Sequence, residues 1–92
     1  SLGVPVVVDS AAGFGAVDEG GRKLGDQGRA EVFSFHATKP FAIGEGGLVT
    51  SRSADVLRTV AELNNFGFDG ARTLPGHVGI NRKMPELSAA VG

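Results

Sequence analysis

The chain reads FSFHATKPFA over residues 33–42, and EGG follows at residues 45–47. Lys39 comes just after the apolar run at residues 32–35, where a buried strand would end and a loop would begin. An ammonium is costly to bury without a partner, and a lysine pushed toward neutrality becomes a nucleophilic amine that can form a Schiff base with an aldehyde. On its own, however, a lysine at such a place is more often a solvated loop residue. The other segments of the chain decide between these interpretations.

The rest of the chain predicts a mixed α/β arrangement. Short apolar runs near glycines predict three strands, at residues 5–9, 31–35 and 47–51. The first run is rich in β-branched residues, which is typical of a strand buried on both faces of a parallel sheet. Ser53 is a good N-cap for a first helix, and Pro85 suits the first position of a second helix. Residues 69–79 have the glycine and proline content of an irregular segment.

Three further segments accompany the lysine segment: VVVDSA at residues 6–11, LNNFG at residues 63–67 and GINRKMPELSAA at residues 79–90. In this order the four segments resemble those of the DegT/DnrJ/EryC1/StrS family of pyridoxal-phosphate-dependent aminotransferases, which aminate keto-sugars carried on nucleotides. The resemblance implies an α/β fold, a fragment of the large domain of a fold-type I pyridoxal-phosphate-dependent transferase, with a mixed, mostly parallel sheet flanked by helices. Residues 1–92 would form the central part of this cofactor-binding domain, with no separate second domain.

Pyridoxal phosphate requires an amine for its aldehyde, a carboxylate beside the pyridine nitrogen and donors for its phosphate. The resemblance implies that Lys39 forms the Schiff base and then moves a proton between substrate and cofactor. It also implies that Asp9 pairs with the pyridine nitrogen and that Ser34 donates its hydroxyl to the cofactor phosphate. Asn81 matches the asparagine that reaches the phosphate of the neighbouring subunit's cofactor, which implies a homodimer with shared active sites.

Three of these residues also have a plainer interpretation. Asp9 could cap a helix that starts at Ser10, which the spacing permits. The Ser34 hydroxyl could bond to neighbouring backbone, as serines at strand ends commonly do. Asn81 could be a turn residue in the loop before the terminal helix. The residues alone leave these alternatives open.

Ala12 departs from the family pattern. Family members commonly carry histidine or glutamine at this position, three residues after the aspartate, so a polar group near the cofactor ring is missing. His36 matches the family's Ser-Phe-His sequence, and we interpret it as a structural residue. Two alternative functions stay open: a sugar dehydratase-like activity and a non-catalytic regulatory homologue. Ala12 is the only residue that favours the regulatory homologue. Lys39 favours transamination, because sugar dehydratases of the same superfamily carry histidine in place of this lysine.

Composition argues against several other classes of protein. The 92 residues carry a formal net charge of −1, which argues against a nucleic-acid or anionic-membrane partner. No apolar run approaches the roughly 20 residues that cross a bilayer, and no signal-peptide pattern is present, so we expect a cytoplasmic protein. There is no cysteine, and His36 and His77 lack metal-site spacing, so we expect no metal site.

The limits of the chain and the resemblance lead to two further expectations. The chain starts without methionine and stops inside the predicted second helix, so we expect an internal fragment of a longer enzyme that folds poorly alone. The resemblance implies a nucleotide-linked keto-sugar as substrate and glutamate as the amino donor.

Overall fold

The fold comes from a computed structural model, which describes residues 2–68 and 78–92. The predicted irregular segment at residues 69–79 lies largely outside the described residues, and His77 lies outside them too. The described elements are, in chain order, β1 Val7–Asp9, β2 Ala30–Ser34, β3 Gly47–Thr50, α1 Ala54–Asn64 and α2 Glu86–Val91. They fall into two compact units, of which residues 1–52 with residues 84–92 form the first and residues 53–83 form the second.

The three strands form one mixed sheet in the order β1-β2-β3. β1 and β2 are parallel, with Asp9 beside Val32. β2 and β3 are antiparallel, with Ser34 opposite Gly47. All three predicted strands are therefore present, within two residues of their expected limits, and the predicted mixed sheet is confirmed.

Strand β1 is more exposed than its sequence predicts. Val7 is 65% exposed and Val6 is 56% exposed, although a β-branched run is typical of a strand with two buried faces. The physical reason is that the faces of a strand are buried only by elements packed on them, and the described part of the first unit leaves these two side chains exposed. The prediction of a doubly buried strand is therefore wrong for the part of the chain that the structure describes.

The core of the first unit lies on one face of β2. Phe33, Phe35 and Ile43 form its buried cluster, and Leu24 and Met84 pack against them. Because successive side chains of a strand point to opposite faces, the two phenylalanines leave the other face of β2 to the residues between them. That second face carries the side chain of Ser34, at the carboxyl end of β2.

Both predicted helices are present. Ser53 is the N-cap of α1, as expected, and its hydroxyl accepts a hydrogen bond from the N–H of Val56 at 3.5 Å. α2 begins at Glu86, so Pro85 stands at its N-cap rather than at its first helical position. A difference of one residue is usual at helix ends, where the last turn often frays.

The segment that contains Asn81 is held against the end of α1 within the second unit. The N–H of Ile80 donates to the carbonyl of Leu63 at 2.9 Å. A Cβ on Gly79 would lie 2.3 Å from the backbone nitrogen of Gly67, so only glycine permits this approach. The N–H of Arg82 donates to the carbonyl of Asn64 at 3.0 Å, so contacts determine the course of the backbone on both sides of Asn81.

We expect the 92-residue chain alone to show no cooperative thermal transition as a monomer. The buried apolar residues among those described are only four: Ala30, Phe33, Phe35 and Ile43. A cavity of about 340 Å³, lined in part by Leu24 and Leu48, opens beside them. With β1 exposed as well, the chain buries too little apolar surface to offset the entropy of folding.

The measurement is a circular-dichroism melt of the isolated chain beside that of the full-length protein, with the mass in solution from light scattering. A cooperative melt by a monomeric chain would show that residues 1–92 are a self-sufficient domain.

Candidate functional site

Asp9 and Ser34 lie at one edge of the sheet, at the carboxyl ends of the parallel strands β1 and β2. Asp9 is paired with Val32, and Ser34 is two residues beyond Val32, so the alternation of strands places both side chains on the same face. The N–H of Ser34 donates to the carbonyl of Ala11 at 3.3 Å, which ties the end of β2 to the turn after β1. In open α/β sheets, ligands bind outside the carboxyl ends of the strands.

The Asp9 carboxylate holds the turn that follows β1. Its Oδ1 accepts a hydrogen bond from the N–H of Ala11, two residues ahead, at 3.0 Å. No helix starts at Ser10, so the interpretation of Asp9 as a helix cap is wrong. Asp9 is exposed, and the bond to Ala11 uses one carboxylate oxygen, which leaves the other able to meet a cation.

The Ser34 hydroxyl is bonded to neighbouring backbone, as its plainer interpretation has it. Its oxygen accepts a hydrogen bond from the N–H of His36 at 3.3 Å. Because this bond uses a lone pair of the oxygen, the hydroxyl proton is still able to donate to a phosphate. The structural bond and the predicted role are therefore compatible.

His36 links the two arms of the loop that carries Lys39. Its Nδ1 lies 3.0 Å from Thr38 Oγ1, and its Nε2 lies 3.4 Å from a carboxylate oxygen of Glu45. Thr38 precedes Lys39 and Glu45 follows it, so the imidazole bridges the loop from one side to the other. These contacts agree with the interpretation of His36 as a structural residue.

Lys39 lies half-buried in a loop that backbone hydrogen bonds close. Its own N–H donates to the carbonyl of His36 at 2.9 Å. The N–H of Ala37 donates to the carbonyl of Gly44, also at 2.9 Å, which joins the two arms. A loop closed in this way fixes the backbone from which the Lys39 side chain starts, and a fixed starting point limits the region that the amine can reach.

Four phenylalanines, whose contacts could not be predicted from the sequence, anchor the same loop to the core. The ring centroid of Phe14 lies 5.0 Å from those of Phe35 and Phe41 and 5.8 Å from that of Phe33. Edge-on and tilted contacts of this kind are favourable between aromatic rings. Phe41 comes two residues after Lys39, so this aromatic cluster limits the movement of the lysine loop.

The two other predicted residues, Ala12 and Asn81, are exposed. Ala12 lies in the turn after β1. Asn81 belongs to the second unit, where its backbone forms an isolated bridge with that of Asn65. The structure thus brings Asp9 and Ser34 together and places Asn81 in a different unit from these two.

Glu31 is a buried polar residue for which the sequence predicts only a place at the start of a strand. It has no exposed surface. Its carboxylate accepts hydrogen bonds from the Ser10 hydroxyl at 2.5 Å, from the N–H of Gly25 at 2.7 Å and from the N–H of Gln27 at 3.1 Å. The signal in the sequence was weak: one acidic residue in an apolar strand, shortly after a glycine-rich loop whose N–H groups need acceptors.

Two opposed effects determine the pKa of Glu31. Burial raises the pKa, because a charged carboxylate loses its hydration. The hydrogen bonds from Ser10, Gln27 and Gly25 lower the pKa, because they favour the ionised form. The hydrogen bonds prevail, and the pKa of Glu31 lies below its usual value of 4.5. The carboxylate is therefore ionised at neutral pH.

We expect Glu31 to make the folded protein sensitive to acid. Because its pKa is lower in the folded chain than in the unfolded chain, the unfolded chain takes up the proton first as the pH falls. The stabilisation from Glu31 is therefore complete above its usual pKa of 4.5 and is lost as the pH falls through the lower, folded-state value.

Thermal melts of the full-length protein across this acidic range test the expectation, with Glu31→Gln as the comparison. The variant should melt lower at neutral pH but lose less further stability in acid. An equal loss in acid for both proteins would show that Glu31 does not carry the effect.

Asp18 offers a second carboxylate that holds a turn in the first unit. Its Oδ1 accepts the N–H groups of Gly20 and Arg22, each at 2.9 Å, and its other oxygen pairs with the Arg22 guanidinium.

Among the described residues, no group of three or more histidine, cysteine, aspartate or glutamate side chains could hold a metal ion. None of the described helices has the length and apolar character needed to cross a membrane.

Known proteins are similar to this chain over nearly all of its residues. The chain matches the DegT/DnrJ/EryC1/StrS aminotransferase family over residues 1–92. Protein Rv3402c of Mycobacterium tuberculosis is 47% identical over 89 residues, which are 97% of this chain and 21% of that protein. The dTDP-4-amino-4,6-dideoxy-D-glucose transaminase of Shigella dysenteriae is 38% identical over 87 residues, which are 95% of this chain and 23% of that protein.

A solved structure shares the fold. A Bacillus cereus protein assigned as a PLP-dependent aminotransferase superposes with a TM-score of 0.82 at 47% identity, over 97% of this chain and 24% of that one. The predicted fold class, a fragment of a pyridoxal-phosphate-dependent transferase fold, is thereby confirmed. The chain spans between a fifth and a quarter of the length of these relatives. It belongs to the DegT/DnrJ/EryC1/StrS aminotransferase family.

Proposed function

We propose that residues 1–92 are the central part of the cofactor-binding large domain of a pyridoxal-phosphate-dependent aminotransferase that acts on a nucleotide-linked keto-sugar. The observation that carries this proposal is the shared position of Asp9 and Ser34 on one face at the carboxyl edge of two parallel strands. The closed loop with Lys39 follows directly after one of these strands. The family adds the reaction class, and the Shigella relative's name adds a nucleotide-linked sugar.

The side chains at this edge fit pyridoxal phosphate. The exposed carboxylate of Asp9 suits a protonated pyridine nitrogen, because a carboxylate with one uncommitted oxygen attracts a cation. The Ser34 hydroxyl can donate to a phosphate oxygen, and the amine of Lys39 can react with an aldehyde. When bound, the cofactor supplies an electron sink for the charge that deprotonation leaves on the substrate carbon.

Each residue then has a limited task. The Nζ atom of Lys39 would hold the cofactor through its aldehyde and would then serve as the base and acid that moves the proton of the substrate carbon. The Asp9 carboxylate would pair with the ring nitrogen. Ser34 fixes the phosphate, and the Asn81 amide donates to the phosphate of the neighbouring subunit's cofactor, so the enzyme works as a homodimer. Ala12 contributes no polar group to the orientation of the ring.

We propose glutamate as the amino donor and the cytoplasm as the location, with no nucleic-acid or membrane partner. The test uses the full-length protein with added pyridoxal phosphate, glutamate and a panel of keto-sugars linked to dTDP, GDP or UDP. We expect 2-oxoglutarate and an amino-sugar product, measured by mass spectrometry, with one of these substrates. Omission of the keto-sugar is the control. Formation of neither product, with no binding of pyridoxal phosphate, would contradict the proposal.

A further inference from the structure

Glu31 joins three segments of the first unit from a position without solvent contact. One of its oxygens, Oε1, accepts the Ser10 hydroxyl at 2.5 Å, and the other, Oε2, accepts the N–H groups of Gly25 and Gln27. A buried carboxylate of this kind is stable only when its oxygens are bonded, and here both of them are. The reaction described above uses none of these bonds.

Ser10 connects Glu31 to the proposed cofactor site. Its hydroxyl donates to Glu31, and its backbone N–H donates to the carbonyl of Val32 at 2.9 Å, so it is fixed to β2 by both side chain and backbone. Its neighbour Ala11 donates its N–H to the Asp9 carboxylate and accepts the N–H of Ser34. The position of Ser10 therefore determines where the turn presents Asp9.

We propose that Glu31, acting through the Ser10 hydroxyl, is a positioning residue that orients the Asp9 carboxylate toward the pyridine nitrogen. Glu31 is beside Val8 in the sheet, whereas Asp9 is beside Val32, so alternation places Glu31 on the face opposite Asp9. Glu31 thus acts without touching the cofactor. The inference rests on the proposed function, because it assigns Asp9 to the cofactor.

A full-length Ser10→Ala variant tests the link between Ser10 and Asp9. It removes only the hydroxyl and leaves the hydrogen bonds from the N–H groups of Gly25 and Gln27 to the Glu31 carboxylate in place. We expect its affinity for pyridoxal phosphate to fall about tenfold, which is the effect of one lost charge-assisted hydrogen bond. The readout is titration of the cofactor-free protein with pyridoxal phosphate, followed by visible absorbance. Ser10→Thr restores a hydroxyl and should restore most of the affinity.

Asp18→Asn is the matched control, because Asp18 also holds a turn through two backbone N–H groups but has no bond to Ser10 or Ala11. Its affinity for pyridoxal phosphate should equal that of the wild type. Glu31→Gln, which keeps the side-chain volume, carries the same expectation as Ser10→Ala if the latter does not fold. A fall as large in Asp18→Asn as in Ser10→Ala would overturn the inference.

The decisive measurement repeats Ser10→Ala in an Asp9→Asn background. If Ser10 acts through the Asp9 charge, the second substitution should lower affinity no further; if Ser10 only stabilises the fold, the two losses should add. Additive losses, or full affinity in Ser10→Ala, would overturn the inference while a wild type that binds pyridoxal phosphate upholds the proposed function. A wild type that binds none would overturn both.

Discussion

Lys39→Ala in the full-length protein is expected to abolish transamination. The amine of Lys39 is the group that would hold the cofactor aldehyde and move the proton, and alanine provides neither task. The loop itself should survive, because its closure depends on backbone bonds of Ala37 and Ile43 and on the Phe41 ring rather than on the lysine side chain. The measurement is the rate of 2-oxoglutarate formation from glutamate with the keto-sugar present.

The control for this prediction is Lys23→Ala, which removes an exposed lysine of the same unit and should leave the rate unchanged. Borohydride reduction followed by peptide mass spectrometry adds a readout that does not depend on turnover. The wild type and the control should carry the cofactor covalently on the peptide that contains Lys39, and Lys39→Ala should carry none. Full turnover by Lys39→Ala without an added amine would refute the assignment.

The strands and helices could be predicted from sequence because their signals are local. The apolar runs near residues 7, 32 and 48 and the Ser53 cap each occupy a few neighbouring residues, and the structure places an element at each. The exposure of Val7 could not be predicted in this way. Burial of a strand depends on which elements pack against it, and the residues of the strand alone do not determine this.

For the site, too, local features could be predicted from the sequence, whereas contacts between distant segments could not. Lys39, Asp9 and Ser34 were predicted from a resemblance, but the common position of Asp9 and Ser34 follows from the parallel pairing of β1 with β2, a contact between segments some twenty residues apart. Glu31 was missed because one acidic residue in an apolar strand gives no sign of its burial. Only the folded chain shows that three separate segments direct donors toward it.

Asp9→Asn should weaken cofactor binding about tenfold, the effect of one lost charge-assisted hydrogen bond. With saturating cofactor it should also slow turnover by roughly 10²–10³-fold, the usual effect of removing one preorganised electrostatic group from a reaction centre. The substitution separates the charge of Asp9 from its structural role, because an asparagine Oδ1 can still accept the N–H of Ala11. The turn after β1 is therefore kept and only the charge is lost. Without that charge the ring nitrogen is less readily protonated, and the substrate carbon loses its electron sink.

Single-turnover reaction of the cofactor-loaded protein with glutamate, followed by visible absorbance, measures this step apart from product release. Asp9→Ala is the informative comparison, because it removes both the charge and the acceptor for Ala11 and should weaken cofactor binding further than Asp9→Asn does. Asp18→Asn should react at the wild-type rate, since its carboxylate holds a turn that does not reach the β1 edge. An Asp9→Asn variant with unchanged turnover would reduce Asp9 to the residue that caps the turn, and the pyridine nitrogen would need another partner.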